Sequence, residues 1–474
     1  MRASGEPAPF VIVAPEHRRK VLIAAVLASA MGFIDSSVTA IALPAIRRSL
    51  GGTLAQAQWV SAAYFLTMSA LILVGGALGD RFGVVRVFAC GIVTFVAASL
   101  LVTVAQTMIQ IDAARALQGL GAAFMVPGSM TLIARAHPVE ERGRALGLWA
   151  ASASATTAMG PILGGVLLTY GGPQVWRAIF ALNLPLGLAA LWLLRRYTIP
   201  DTGKPGTRVD LPGAGLATAG LGMFAWALTG GAAGQLVGAL VLLTLFLWWE
   251  ARAKAPMIRL SLFRNRAFAA ANLATLLLYI ALTGVSFYLP MTVISAWHVT
   301  PIGVTAAFLP VSVLLALLSG WSGRQADSIG PGPLMTGGAL LVGLGYGGIA
   351  MTAAPGAFWH FTVPLMGVVG LGLALLVAPL TAAVMANVPE SDQGAASGIN
   401  NAMARVAGLI AVSLMGRIAA WSYGTVSPTH PGFGLAGSDA GHIFASSAAF
   451  GLVAGLCALL AGASALVSWA GLRR

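Results

Sequence analysis

Charged positions punctuate this chain rarely, and the stretches between them are apolar. Residues 211–249 carry no charge, and neither do 267–323 or 328–389; from Arg417 to Arg473 only Asp439 interrupts. About 20 residues of helix cross a hydrocarbon layer of about 30 Å, so these runs divide into spans. The first 200 residues divide at 20–44, 57–78, 85–107, 110–133, 143–170 and 176–195. The rest gives 210–230, 232–250, 267–291, 301–322, 333–353, 358–386, 394–421 and 440–468, fourteen spans in all. Breaks fall at Gly230, Gly231 and Gly234, between Pro290 and Pro301, and at Pro355-Gly356, where backbone lacking a Cβ or an N–H favours turns. The stretch His17-Arg18-Arg19-Lys20 before the first span imitates a signal peptide, but apolar sequence continues past Ala28-Ser29-Ala30, so the span is expected to be retained.

Composition agrees with that pattern. Of 474 residues 58% are hydrophobic and 9% charged, with mean hydropathy +0.86. Soluble domains carry about 25% charge, so lipid is the expected solvent. The 59 Gly and 24 Pro fit transmembrane helices, where both are commoner than in soluble ones. Cys90 and Cys457 sit inside apolar runs without ligand spacing, which indicates neither disulfide nor metal.

The net charge of +13 is read as topology and not as affinity for nucleic acid, because the basic residues stand in short groups between apolar runs. The termini and the loops after even-numbered spans hold 21 of the 27 Lys and Arg, whereas the other side holds Arg47, Arg48 and Arg177. Both termini are therefore expected in the cytoplasm. Arg115, Arg405 and Arg417 lie within spans.

An internal repeat organises the spans. Pro138, Glu141, Gly143, Ala145 and Gly147 recur 251 residues later as Pro389, Asp392, Gly394, Ala396 and Gly398. At the same offset Gly119-Leu120-Gly121 matches Gly370-Leu371-Gly372, and at offset 247 Gly76, Asp80 and Gly83 match Gly323, Asp327 and Gly330. The copies lie eight spans apart and cross in the same direction. Parallel repeats flanking a mid-membrane site are one way of building a transporter. Eight, not six, implies two six-helix halves with two helices inserted. The expected division is a cytoplasmic segment 1–19, a half 20–196, an insert with its loops 197–260, a half 261–470 and a tail 471–474. The insert, free of internal charge, should face lipid.

Polar residues inside spans are candidates for chemistry. Asp35 lies in the first span, where a charge costs about 2.5–3.5 kcal/mol and usually faces a cavity or a partner. Arg115 is the expected partner, with Asp112 one turn away. Burial disfavours the charged carboxylate and a neighbouring cation favours it, so Asp35 could exchange a proton; a static ion pair is the alternative, and Asp112 could be merely interfacial. Gly76, Asp80, Arg81, Gly83 and Arg86 form a short connection between spans two and three, expected to latch two helices in one conformation, with Asp327 in the diverged copy. Gly160-Pro161 and Gly164-Gly165 offer close helix approach and a kink. Trp176, Arg177, Asn183 and Pro185 could anchor and kink span six. Asn272, Tyr279 and Tyr288 in span nine, and Asn400, Asn401 and Arg405 in span thirteen, either line a central cavity or bridge helices. The six His are scattered, which argues against a membrane-embedded enzyme.

At these residues the chain resembles the major facilitator superfamily, in its fourteen-helix group of drug:proton antiporters. Ile34 to Val38 with Ala42-Leu43-Pro44 resembles that group's first-helix signature, and Trp59 to Tyr64 its second. Gly76 to Gly83 is similar to the superfamily loop motif, Arg115, Gln118, Gly119 and Gly121 to its fourth-helix motif. Gly147 with Gly160 to Gly165 is similar to the fifth-helix antiport motif, and Trp176-Arg177 to Gly187 to that of helix six. The chain departs at Val84 and Val85, where the loop motif is usually basic, and at Thr156, usually Gly. The resemblance implies an all-α polytopic fold in a bacterial cytoplasmic membrane. It further implies proton-driven export of amphipathic organic compounds with or without a periplasmic adaptor, Asp35 and Arg115 coupling, and Trp59 and Tyr64 beside the substrate. No cofactor is expected beyond the proton gradient. Export of one dedicated metabolite or antibiotic is the alternative. The lack of acidic residues in spans nine to fourteen argues against a strong preference for dications.

Overall fold

The structure, a computed structural model, describes residues 13–472 except 173, 200, 202, 205, 387, 390, 391 and 428–431, with backbone alone at 139, 154 and 158. The first twelve residues of the N-terminal segment, and Arg473 and Arg474 of the tail, lie outside the described residues. Fourteen helices in the described chain are long and apolar enough to cross a membrane. The first half supplies α1 (Pro15–Leu50), α2 (Leu54–Phe82), α3 (Val84–Val104), α4 (Met108–Ala136), α5 (Glu140–Tyr170) and α6 (Trp176–Tyr197). Two more, α7 (Leu211–Thr229) and α8 (Ala233–Glu250), are the insert. The second half supplies α9 (Arg266–Ser295), α10 (Pro301–Ile329), α11 (Pro331–Met351), α12 (Pro355–Ala386), α13 (Gln393–Val426) and α14 (Ala440–Gly471).

Local chemistry starts these helices. Thr53 and Thr107 open α2 and α4 with capping boxes: each hydroxyl accepts from the amide three residues on, and Gln56 and Gln110 accept from the cap amides in return. Asn265, Thr300 and Asp439 cap α9, α10 and α14. Helix ends run past the expected spans where proline does not stop them. Pro44 sits inside α1, which continues to Leu50 and ends on Gly51 at φ +66°, and Pro290 sits inside α9, which continues to Ser295. In a membrane-scale bundle neighbouring helices tolerate the lost N–H.

Within the first half α1 packs on α5 and α6, α2 on α4, and α3 on α4 and α6; the second half repeats this with α9 on α13 and α14, α10 on α12, and α11 on α12 and α14. The halves meet where α2 lies on α13 and, symmetrically, α5 on α10, with α1 against α9 at the centre. Among the described residues α7 covers the α2–α13 seam and holds α8 outside it. The outer face of α8 is apolar and exposed at Val237, Leu240, Val241, Leu245 and Trp248, as expected of a helix facing lipid.

On α5 and α10 the bonds between halves lie at the end far from the termini: Thr305 Oγ1 donates to the Pro161 carbonyl (3.1 Å) and the Ile302 amide to Thr169 Oγ1 (3.0 Å). Arg47 Nη1 closes the same end on the Phe433 carbonyl (3.0 Å). At the terminal end a cleft of about 610 Å³ opens between α2, α4, α13 and the linkers around the insert.

Candidate functional site

A cavity of about 200 Å³ lies at the centre, between α1, α2, α4 and α5 of one half and α9 and α10 of the other. Its wall alternates aromatic rings, among them Tyr64, Phe65, Phe287 and Phe308, with the hydroxyls of Ser36, Ser61, Thr157, Ser286 and Ser312. Arg115 forms part of the wall. That mixture suits a molecule with an apolar body and a few polar groups.

Asp35, behind the wall, forms an ion pair with Arg115, the two being 2% and 1% exposed. Asp35 projects from mid-α1 and Arg115 from α4, and neutral groups complete the arrangement. Arg115 Nε donates to the Val60 carbonyl of α2 (2.8 Å) and Nη1 to Gln118 Oε1 (2.8 Å). Gln118 Nε2 donates to Ser99 Oγ of α3 (2.7 Å) and to Asp35 Oδ1 (3.3 Å), and Asn183 Nδ2 of α6 to Ser99 Oγ (3.1 Å). The guanidinium lies 4.6 Å from the Tyr64 ring centre, so its flat face is covered too. One carboxylate thus gathers five helices of one half. Gly119 permits this, since a Cβ there would stand 2.1 Å from Thr67 Oγ1 and 2.4 Å from the Tyr64 carbonyl, holding α4 off α2.

The other candidates separate into groups. Asp112 stays out of the network; its Oδ1 is buried with no hydrogen-bond partner among the described residues. Trp59 packs at the α2–α7–α13 seam with Ala62, Ala225 and Leu409. Tyr288 clamps α9 to both neighbours, accepting from Gln58 Nε2 (3.0 Å) and donating to the Val412 carbonyl (2.5 Å). Asn400 Nδ2 donates to Thr275 Oγ1 (2.8 Å) and Asn272 Oδ1 (3.3 Å), bridging α13 and α9. Tyr279 packs on the core of the second half, and Asn401 borders the terminal cleft. Arg405 leaves its Nε buried without a partner among the described residues, with its charge close enough to act on Tyr64 and Tyr279.

The fifth-helix glycines sit at two crossings. A Cβ at Gly160 would fall 1.9 Å from Ser37 Oγ, and one at Gly164 2.4 Å from Val38 Cγ2, both on α1. One at Gly165 would fall 2.6 Å from Thr305 Oγ1 on α10. Pro161 lines the cavity between them, while Gly147 faces open space. In α6, Trp176 Nε1 donates to Ser49 Oγ (2.9 Å) and Arg177 Nη1 caps the α3 carbonyls of Thr103 (2.8 Å) and Ala105 (2.6 Å). The helix turns at Leu182, before Asn183, and Pro185 lies exposed in the following turn.

Around the loop after α2, Asp80 pairs with Arg135 of α4 (3.2 Å), and its carbonyl accepts from the Lys204 amide (2.7 Å). Sequence reasoning missed the larger part. Asp201, 8% exposed, accepts from the Val84 and Val85 amides (2.7 and 3.1 Å) and from Arg135 (3.1 Å), so the linker after α6 caps α3. Gly83 at φ +97° makes room; a Cβ there would stand 2.5 Å from the Asp201 carbonyl. The one hint was Val84-Val85, which leaves an apolar helix start for some distant acid to cap. Arg81 and Arg86 are exposed, Gly76 borders the cleft, and Asp327 makes no bond among the described residues.

Comparison with known proteins agrees with this architecture. Residues 25–412 match the Major Facilitator Superfamily. The chain is 31% identical over 418 residues to the multidrug resistance protein Stp of Mycobacterium tuberculosis, covering 86% of this chain and 77% of that one. It is 32% identical over 416 residues to the methylenomycin A resistance protein of Bacillus subtilis, covering 84% and 87%. Its fold is shared by a D-xylose-proton symporter at TM-score 0.67 and 15% identity, over 96% and 98% of the chains. With fourteen helices in two repeated halves, the chain belongs to the major facilitator superfamily and is a membrane transporter.

Proposed function

We propose that this transporter is a proton-driven antiporter that exports amphipathic organic compounds by alternating access. The observation carrying the reading is the buried Asp35–Arg115 pair at the wall of the central cavity. Asp35 is the group that takes and gives up the proton. When it is charged, Arg115 is drawn back to it; when it is neutral, that attraction is lost and Arg115 is free to turn toward the cavity. Substrate in the cavity and the proton on Asp35 thereby influence one another through a single side chain. Gln118, Ser99 and Asn183 carry each change to α3, α4 and α6 together.

The excess of basic residues on the terminal side supports cytoplasmic termini, so that the terminal cleft faces the cytoplasm and the α5–α10 contact closes the outer side. The Gly160–Gly165 crossing serves as the pivot, and the Asp80–Arg135–Asp201 group latches the cytoplasmic ends of the first half. The cavity's aromatic and hydroxyl lining, and a relative named as a multidrug resistance protein, support a broad substrate range. A relative named for resistance to a single antibiotic supports the second reading, a dedicated exporter.

Dye efflux from energised cells tests both. Expression of the protein should lower dye accumulation, a protonophore should abolish the effect, and Asp35→Asn should match the empty vector. Full protonophore-sensitive efflux by Asp35→Asn would remove Asp35 from the mechanism. A growth screen that protects against one compound alone would favour the dedicated exporter.

A further inference from the structure

A second carboxyl pair lies outside the transport site. Asp210 caps α7 and Glu250 ends α8, the two helices of the insert, and they are 8% and 3% exposed. Each has one oxygen well satisfied. Asp210 Oδ1 accepts from the Gly213 amide (2.9 Å) and Trp249 Nε1 (2.8 Å), and Glu250 Oε2 from the Ile258 amide (2.8 Å). The Met257 amide also acts on the Glu250 carboxyl, and the remaining oxygens, Asp210 Oδ2 and Glu250 Oε1, are buried with no hydrogen-bond partner among the described residues. Both converge over Gly213, whose absent Cβ would stand 2.5 and 2.7 Å from them, and the two carboxyls are within hydrogen-bonding reach of each other.

Among the described residues no Lys or Arg forms an ion pair with either carboxyl. The charged groups on the surrounding elements are Asp80 and Arg81 of α2, Arg405 and Arg417 of α13, and Asp201, Lys204, Arg208, Arg252, Lys254, Arg259 and Arg264 of the linkers. Arg417 is spent on the Ala227 carbonyl and Arg259 on Asp392, and none bonds to either carboxyl among the described residues. Two buried carboxylates in contact repel, and a proton between them turns repulsion into a hydrogen bond.

We propose that Asp210 and Glu250 hold one proton between them, a protonation site separate from Asp35. The proton exchanges with water through the terminal cleft, which Asp210 borders beside Arg208 and Lys254. When held, it ties the start of α7 to the end of α8 and to the linker at Ile258. That linker reaches α13 through Arg259 and Asp392, so the site also sets how the insert sits on the α2–α13 seam. The inference stands whether or not Asp35 couples transport.

Infrared pH-difference spectra of the full-length protein in nanodiscs test it. In an Asp35→Asn, Asp112→Asn background a protonated-carboxyl band should remain, and it should vanish on adding either Glu250→Gln or Asp210→Asn. A band unchanged by both variants overturns the proposal. Should the variants not fold, the wild type decides by thermal unfolding across pH at fixed Na⁺ and across Na⁺ at fixed pH. Stability that falls as pH rises through proton release supports a proton held only by the folded state. Stability that follows Na⁺ and ignores pH puts a metal cation in its place and overturns the proposal.

Discussion

Asp35 and Arg115 are both almost fully buried, and removing such charges from water costs several kcal/mol per ion even after relaxation. The pair survives because neutral groups bond to it and to one another: Val60, Gln118, Ser99 and Asn183. Removing one partner of a buried pair costs about 3–5 kcal/mol. Arg115→Ala should therefore lower thermal stability sharply, and adding Asp35→Asn should restore much of the loss in a detergent melting assay. A double variant no more stable than Arg115→Ala would mean that the pair is not coupled. Asp35 and Arg115 were legible in sequence because a charge inside an apolar run stands out. Ser99 was not, since a lone serine in a span can also satisfy itself on its own helix, and Gln118 was visible only as part of a motif.

Among the elements, α5 carries the sharpest constraint. Glycines at 160 and 164 set its distance from α1, and Gly165 its distance from α10. Gly165→Val should force the α5–α10 contact apart at an overpacking cost of about 1–3 kcal/mol, and transport should fall more than folded yield. Normal transport by Gly165→Val would show that the far-side contact is not needed. The linker after α6 makes a separate prediction. Asp201→Ala strips the cap from α3 and one partner from Arg135, costing about 1–2 kcal/mol, which a thermal melt would register; no change would mean that water replaces the carboxylate. Helix number and type were legible because lipid demands continuous hydrogen-bonded spans. Helix ends were less so, because Pro44 and Pro290 punctuate the sequence without ending the helices. The Asp201 cap was hidden because its partners lie more than a hundred residues away.

At the scale of the molecule, two halves with the same internal packing meet along two seams. The repeat could be read from glycine, proline and acidic positions alone, since those residues fix turns and close crossings in both copies. Which polar residues face the cavity could not, because that depends on helix rotation; Tyr64 turns inward while Tyr288 clamps a seam. Alternating access requires the far-side contact to open. A disulfide between Thr169→Cys and Ile302→Cys should stop transport under oxidation and restore it on reduction, and unchanged transport by the cross-linked protein would rule out opening there. The central claim, that Asp35 links proton movement to substrate movement, is tested most directly in proteoliposomes. Wild type should accumulate dye against its gradient when a pH gradient is imposed, and Asp35→Asn should lose this while still exchanging labelled for unlabelled dye. Gradient-driven accumulation by Asp35→Asn at the wild-type level would contradict the account.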